Sequence, residues 1–231
     1  EGAYKDYLGE NKIDALVHLL IGEQNTGLIE RIADDGIRQV VVERRFDRDD
    51  ISWIGFDNYG VSFNLGRYLA SHGCRDFAVV TAGREFVGHS QRRQGFLEAV
   101  KESGCGVPPA WDVERQLVNP QAGYSATLNL CLPDTPAPRV IYYTNIELAL
   151  GGIKALKEKN LRIPQDVIIA TVDDSHLSDF LGIPMICLKQ PNYQVGMDAV
   201  HYLMTQEEEH VCQKQITPEM FIPHEVTGVL G

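Results

Sequence analysis

The chain has 231 residues, with 21 Lys and Arg against 32 Asp and Glu, a formal net charge of −11. So acidic a surface repels phosphate backbones, and these residues are not expected to bind nucleic acid by themselves. Hydrophobic residues make up 44% and charged ones 23%, which excludes a disordered chain and permits one large domain or two lobes of ordinary size.

No apolar run approaches the ~20 residues that span a bilayer. The opening EGAYKDYLGEN lacks the charged-then-apolar pattern of a secretion signal. The cysteines (Cys74, Cys105, Cys131, Cys187, Cys212) are scattered, with no CxxC pair and no zinc-like Cys/His spacing. Cys131 and Cys187 sit in apolar stretches and read as small core residues. Unpaired thiols point to a reducing compartment, hence the cytoplasm.

In chain order, Ile13–Ile21 (IDALVHLLI) is a mostly apolar run, expected as a strand covered on both faces. A helix follows to Asp35, with Gly36 placed to stop it. Val40–Val42 is the next strand, ERRFDRDD (43–50) a solvated charged loop, and Ser52–Phe56 a short strand. Val61, Leu65, Tyr68 and Leu69 share a helix face that Gly73 ends, and Phe77–Thr81 is a strand. Phe96, Ala99 and Val100 mark a helix closed by Gly104, and Tyr124–Leu132 reads as another. Val140–Tyr143 is a strand, after which Ile146, Ala149, Leu150, Ile153 and Leu156 have the spacing of a buried helix face. Strands at Val167–Val172 and Met185–Leu188 follow. Pro191 suits the first turn of a helix carrying Val195, Ala199, Val200 and Leu203 inward. The tail holds short strands near Gln215–Ile216 and Met220–Ile222. Repeated strand–helix units with short loops imply a parallel α/β sheet with right-handed crossovers.

Four blocks carry a resemblance. NIELALGGIKALKEKNLRIPQDVIIATVDD (145–174), DNYGVSFNLGRYLASHGCRDFAVVTAG (57–83), SQRRQGFLEAVKESG (90–104) and LKQPNYQVGMDAVHYLM (188–204) resemble the ligand-binding core of LacI/GalR-type transcription factors. They stand in that family's order and spacing over nearly the whole chain. The resemblance implies two Rossmann-like lobes of the periplasmic-binding-protein-like type I kind, with parallel sheets, helices on both faces and three interlobe crossings. Lobe one would be residues 1–58 and 190–216, and lobe two 59–189 and 217–231. It also implies that the family's helix-turn-helix and hinge helix lie outside these residues. The first lobe here is expected to be incomplete, lacking its opening strand–helix–strand.

Four residues are the ligand-binding candidates. Arg92, three residues before Gly95, matches the family's ligand-contacting arginine, and its planar fork can hold two hydroxyls or a carboxylate. On residue type alone it fits a solvated helix-start arginine equally well. Asp173 ends an apolar strand, where a carboxylate can accept two hydroxyls. Asp174 is assigned to capping the helix that follows. Asn145 offers a donor and an acceptor, yet also stands where a helix N-cap is expected, and Ile146 replaces the Asp the family carries next. Gln190 stands at a lobe crossing and could touch ligand, or be a plain loop residue before Pro191. Neither Arg92 nor Asp173 is expected in the apolar core, so removing either should leave stability nearly unchanged. Val118 falls where many relatives place an aromatic, and valine cannot stack on a flat ring. His89 is the histidine nearest these residues and reads as a surface residue before it reads as a base.

The residues contain no HExxH, GxSxG or P-loop, and neither catalysis nor a metal or cofactor is expected. The implied function is effector sensing and dimerisation in a bacterial transcription regulator. A small polar molecule, a carbohydrate before a nucleobase, would bind in the interlobe cleft of a homodimer. Operator DNA would be reached through the absent N-terminal domain alone, and no membrane is involved. The rival of another class is a periplasmic sugar-binding protein for transport or chemotaxis, against which the unpaired cysteines and the IPQDV–VDD block stand. An α/β enzyme is the second rival.

Overall fold

The computed structural model describes residues 13–19, 26–83, 85–133, 135–173, 180–205 and 211–230. By its contacts the chain divides into two compact units, residues 1–57 with 191–216, and residues 58–190 with 217–231.

In the first unit, β1 (Ala15–Leu19), β2 (Arg38–Glu43), β3 (Ser52–Phe56) and β9 (Gln213–Ile216) form a sheet in that order, all parallel. Its two faces follow the period-2 alternation of a strand. Val41 joins Ile29 of helix α1 (Thr26–Asp34) and Phe46, Ile51 and Trp53 on one side. Val40 and Val42 join Ile54, Phe56, Val195 and Ala199 on the other, the last two from the helix Asn192–Met204. The loop 43–50 departs from the expected solvated run. Phe46 is buried within it, and Arg48 clamps Asp34 and Asp50 at 2.7 and 2.6 Å. The expected two-sided burial of the first strand is also corrected. Val17 and Leu19 are 48% and 58% exposed while His18 is buried. The physical reason is position, since β1 is an edge strand paired with β2.

The second unit carries the larger sheet, in the order β10 (Glu219–Phe221), β8 (Ile186–Lys189), β7 (Ile168–Val172), β6 (Val140–Tyr143), β4 (Phe77–Ala82), β5 (Asp112–Arg115). Its pairings are parallel except β10 on β8. One face buries Phe77, Val79, Val140, Tyr142 and Ile168 beneath helices α2 (Asn58–Ser71) and α3 (Val87–Glu102). The other buries Ala78, Val80, Ile141, Tyr143 and Ile169 beneath α4 (Pro120–Leu130) and α5 (Ile146–Glu158). The two β6 tyrosines show how polar tips enter such a core. The Tyr142 hydroxyl pairs with Ser62 at 2.8 Å on one face, and that of Tyr143 with Thr127 at 2.7 Å on the other. Burial pushes the Tyr142 phenol up to about 12, and that of Tyr143 upward as well.

Among the described residues, short elements escape sequence reasoning. Strand β5 is four residues, DVER, at a sheet edge, and has no apolar alternation to betray it. The final helix, His224–Leu230, spans two turns and buries only Val226 fully. Helix α4 starts at Pro120, capped by Asn119 accepting from the Ala122 amide at 2.8 Å, a turn earlier than its apolar residues indicate. Pro191 stands just before the first turn of its helix, at the N-cap.

Helices α4 and α5 approach so closely that a β-carbon at Gly151 would overlap the Pro120 carbonyl oxygen and crowd the Tyr124 amide. Both neighbours are backbone and cannot rotate aside. Gly151→Ala is therefore expected to destabilise the second unit by about 1–3 kcal/mol, read from the urea midpoint. Gly196→Ala is the control. Nothing lies within 4 Å of a β-carbon there, and the change should stabilise by about 0.5–1 kcal/mol through helix propensity.

Candidate functional site

Strands β4, β6, β7 and β8 run parallel, so their carboxyl ends share one edge of the sheet. Open α/β sheets bind ligands at such edges. Arg92, in the second turn of α3, is 7% exposed and reaches across this edge. Its Nε donates to Asn58 Oδ1 and its Nη1 to the Thr144 carbonyl, each at 2.8 Å. The Gln190 amide takes the orientation its neighbours dictate. Its oxygen accepts from Arg92 Nη2 at 2.9 Å and its nitrogen donates to Asp173 Oδ1 at 3.1 Å. One guanidinium thus ties the start of α2, the end of β6 and the end of β8, and through Gln190 the end of β7. Gly95 permits the arrangement, since a β-carbon there would overlap the Tyr59 carbonyl oxygen and push α3 off α2.

Asp173 has φ of 92°, a conformation that side chains other than glycine's rarely adopt. Its amide is held by the Leu188 carbonyl at 3.1 Å. Backbone strain of this kind costs on the order of 1–3 kcal/mol and gathers at functional sites. Asn145 is placed differently. It caps α5, its Oδ1 accepting from the Glu147 amide at 2.8 Å, the structural alternative weighed for it above. Arg92, Asp173 and Gln190 are brought together, and Asn145 stands beside them as a cap. Asp174 lies outside the described residues, as does the acidic run Glu207–Glu209, whose sequence reads as a solvated helix end. Arg93 turns to β5, where it makes a two-point ion pair with Asp112.

His89 is not a free surface residue. Its Nδ1 lies 2.8 Å from the Thr144 hydroxyl, and the Phe86 ring meets it edge-on at 5.7 Å. Burial first, and the Arg92 charge second, push its pKa down to about 3. Sequence reasoning also passed over Asn58 and Thr144. Asn58 is the second residue of the matched block 57–83, and Thr144 directly precedes the flagged Asn145, so each stood one residue from a signal. A recess of about 240 Å³ between α3 and β5 is lined by Thr81, Ser90, Arg93, Gln94 and Glu114. Among the described residues no three His, Cys, Asp or Glu side chains gather to hold a metal, and no helix is long and apolar enough to cross a membrane.

The burial of Arg92 corrects the expectation that its loss leaves stability unchanged. Arg92→Ala strands the Asn58, Thr144 and Gln190 acceptors, and should cost on the order of 2–4 kcal/mol in chemical denaturation. The second prediction concerns acid. The folded state keeps the His89 ring neutral, while the unfolded chain protonates near 6.5. Stability is therefore full above that pH and is lost as pH falls from about 6.5 towards 3. At pH 5 this group alone removes about 2 kcal/mol. The difference in unfolding free energy between pH 7 and pH 5 should shrink by about that amount in His89→Asn, which still offers Thr144 a donor.

Comparison with known proteins places these features. Residues 67–223 match the family described as "Periplasmic binding protein-like domain". The HTH-type transcriptional repressor PurR of Histophilus somni (strain 2336) is 25% identical over 220 residues, 94% of this chain and 66% of the relative. The chain thus spans just under two thirds of that relative's length. A LacI-family regulatory protein from Chloroflexus aggregans superposes with a TM-score of 0.86 at 22% identity, covering 96% of this chain and 79% of the other. A LacI-family transcriptional regulator from Enterococcus faecium, with bound ribose, gives 0.79 at 19%, covering 94% and 81%. The chain belongs to the periplasmic binding protein-like domain family, alongside a relative named as an HTH-type transcriptional repressor and two structural neighbours named as LacI-family regulators.

Proposed function

We propose that this chain is the effector-sensing and dimerising part of a LacI-type transcription regulator acting in the cytoplasm. Its ligand is a small polar molecule, a sugar or sugar derivative, held at the carboxyl edge of the larger sheet. The observation that carries this reading is the linkage of Arg92, Gln190 and Asp173. Three segments far apart in sequence converge there as donor fork, amide and carboxylate. That set matches a polyol, whose hydroxyls both donate and accept. A ribose-bound neighbour of the same fold supports the choice of a sugar.

The mechanism is differential affinity. An effector that binds one conformation more tightly shifts the population towards it, and the shift is read by DNA-binding parts carried on the rest of the protein. A homodimer supplies the two-fold symmetry that a palindromic operator requires. Residues 1–231, with net charge −11, bind no operator by themselves.

Thermal shift with D-ribose, cellobiose, D-gluconate, D-ribose 5-phosphate and hypoxanthine tests the reading, since a ligand for the native state raises the melting temperature by mass action. A sugar in the panel should bind. Asp173→Asn and Gln190→Ala should each weaken it by about ten- to a hundredfold, the loss of a charge-assisted hydrogen bond. Binding by hypoxanthine alone would replace the sugar with a nucleobase. Unchanged affinity in both variants would move the site elsewhere.

A further inference from the structure

The carboxyl edge of the larger sheet has a second polar feature, the recess of about 240 Å³ between α3 and β5. Strand register sets its floor. Thr81 pairs with Glu114 near the ends of β4 and β5, so both side chains stand on the sheet face that α3 covers. Earlier along β4 that face carries Phe77 and Val79, and the apolar core gives way to polar groups only where the strands end. One face of α3 forms the wall, since Ser90, Arg93 and Gln94 stand at i, i+3 and i+4. Arg93 clamps wall to floor through its two-point ion pair with Asp112, which lies two residues before Glu114 on the same face. The bond to Asp112, and to a lesser degree the Glu114 charge, raise the pKa of the guanidinium, so the clamp stays charged.

Among the described residues that line the recess, Ala82 alone is apolar. The guanidinium and the Gln94 nitrogen donate, the Glu114 carboxylate and the Gln94 oxygen accept, and the Thr81 and Ser90 hydroxyls do either. Donors and acceptors interleaved over so small a space suit adjacent hydroxyls, each of which donates and accepts. An anion suits it less. Asp112 and Glu114 bring two carboxylates to this face against the single charge of Arg93, and like charges brought together cost affinity. The volume lies below the roughly 300–1,000 Å³ of pockets that enclose a whole ligand, so it fits one ring of a larger molecule. The rest of that molecule has a place close by. Thr81 Oγ1 lies 3.2 Å from Thr144 Oγ1, and the Thr144 carbonyl accepts from Arg92 Nη1 at 2.8 Å. One pair of threonines thus stands between the recess and the guanidinium network. We propose that the recess is a second subsite for a neutral, hydroxyl-bearing ring, so that the molecule sensed has two linked sugar units, the first at Arg92, Gln190 and Asp173 and the second against Gln94 and Glu114.

The inference rests on the effector reading, and calorimetry with two sets of variants separates their fates. The probes are cellobiose, maltose and trehalose, with D-glucose, the unit common to all three, and D-ribose 5-phosphate. At least one disaccharide should bind about tenfold or more tightly than D-glucose. Gln94 and Glu114 are exposed, so Gln94→Ala and Glu114→Ala should keep the melting temperature of the unliganded protein. Each should weaken the disaccharide about tenfold, the loss of hydrogen bonds to one ring, and leave D-glucose within about twofold. Asp173→Asn should weaken both sugars. Disaccharide binding unchanged in Gln94→Ala and Glu114→Ala, or no tighter than that of D-glucose, overturns the second subsite, and impairment by Asp173→Asn then leaves the effector reading standing. D-Ribose 5-phosphate as the tightest binder, weakened by Gln94→Ala, would make the recess an anion site and overturn the neutral ring. No binding of any of the five probes removes the effector reading, and this inference with it.

Discussion

The buried guanidinium of Arg92 is the constraint on which the rest of the site depends. Strand ends are where a parallel sheet stops pairing with itself, so their last carbonyls and side chains must find partners elsewhere. Arg92 meets that need for three segments at once, with donors in a rigid planar fan to Asn58, Thr144 and Gln190. A lysine, with one point charge on a flexible stem, could not make three bonds in fixed directions. The close contact of α3 with α2 at Gly95 carries the fan to this edge. The site's geometry is thus inherited from helix packing on one face of the sheet.

That geometry makes structural and binding roles hard to separate at the same residue. Arg92 is nearly buried and each of its three nitrogens donates within the protein, yet it lies beside an aspartate held in strained backbone and a histidine whose ring is kept neutral. Strain at Asp173 runs against stability at any pH, and the depressed pKa at His89 does so in acid. Each persists because neighbouring bonds hold it: the Leu188 carbonyl for the first, the Thr144 hydroxyl for the second. Groups that a fold keeps at a cost are the ones from which a function is best argued.

Comparison with relatives constrains the fold more firmly than the chemistry. Structural neighbours share the architecture at about one-fifth identity, a likeness that speaks for the fold alone. His89 and Thr144 must therefore be argued from this chain's own hydrogen bonds.

The order of elements was legible in the sequence because apolar periodicity records burial directly. Val140–Tyr143 and Ser52–Phe56 were placed residue for residue, since strands buried on both faces are apolar throughout. The matched blocks likewise pointed to Arg92, Asp173 and Gln190. Elements whose residues carry little burial signal were invisible: DVER at a sheet edge, and the two-turn helix His224–Leu230. Tertiary structure alone decided which candidates touch. Asn145 went to its helix cap, since the Glu147 amide is two residues away and needs an acceptor. Thr144 meets Thr81 and His89, 63 and 55 positions away along the chain, through its hydroxyl. Local sequence records which side chains are buried or capping, whereas the partners of a polar atom across a sheet exist only once the strands have paired.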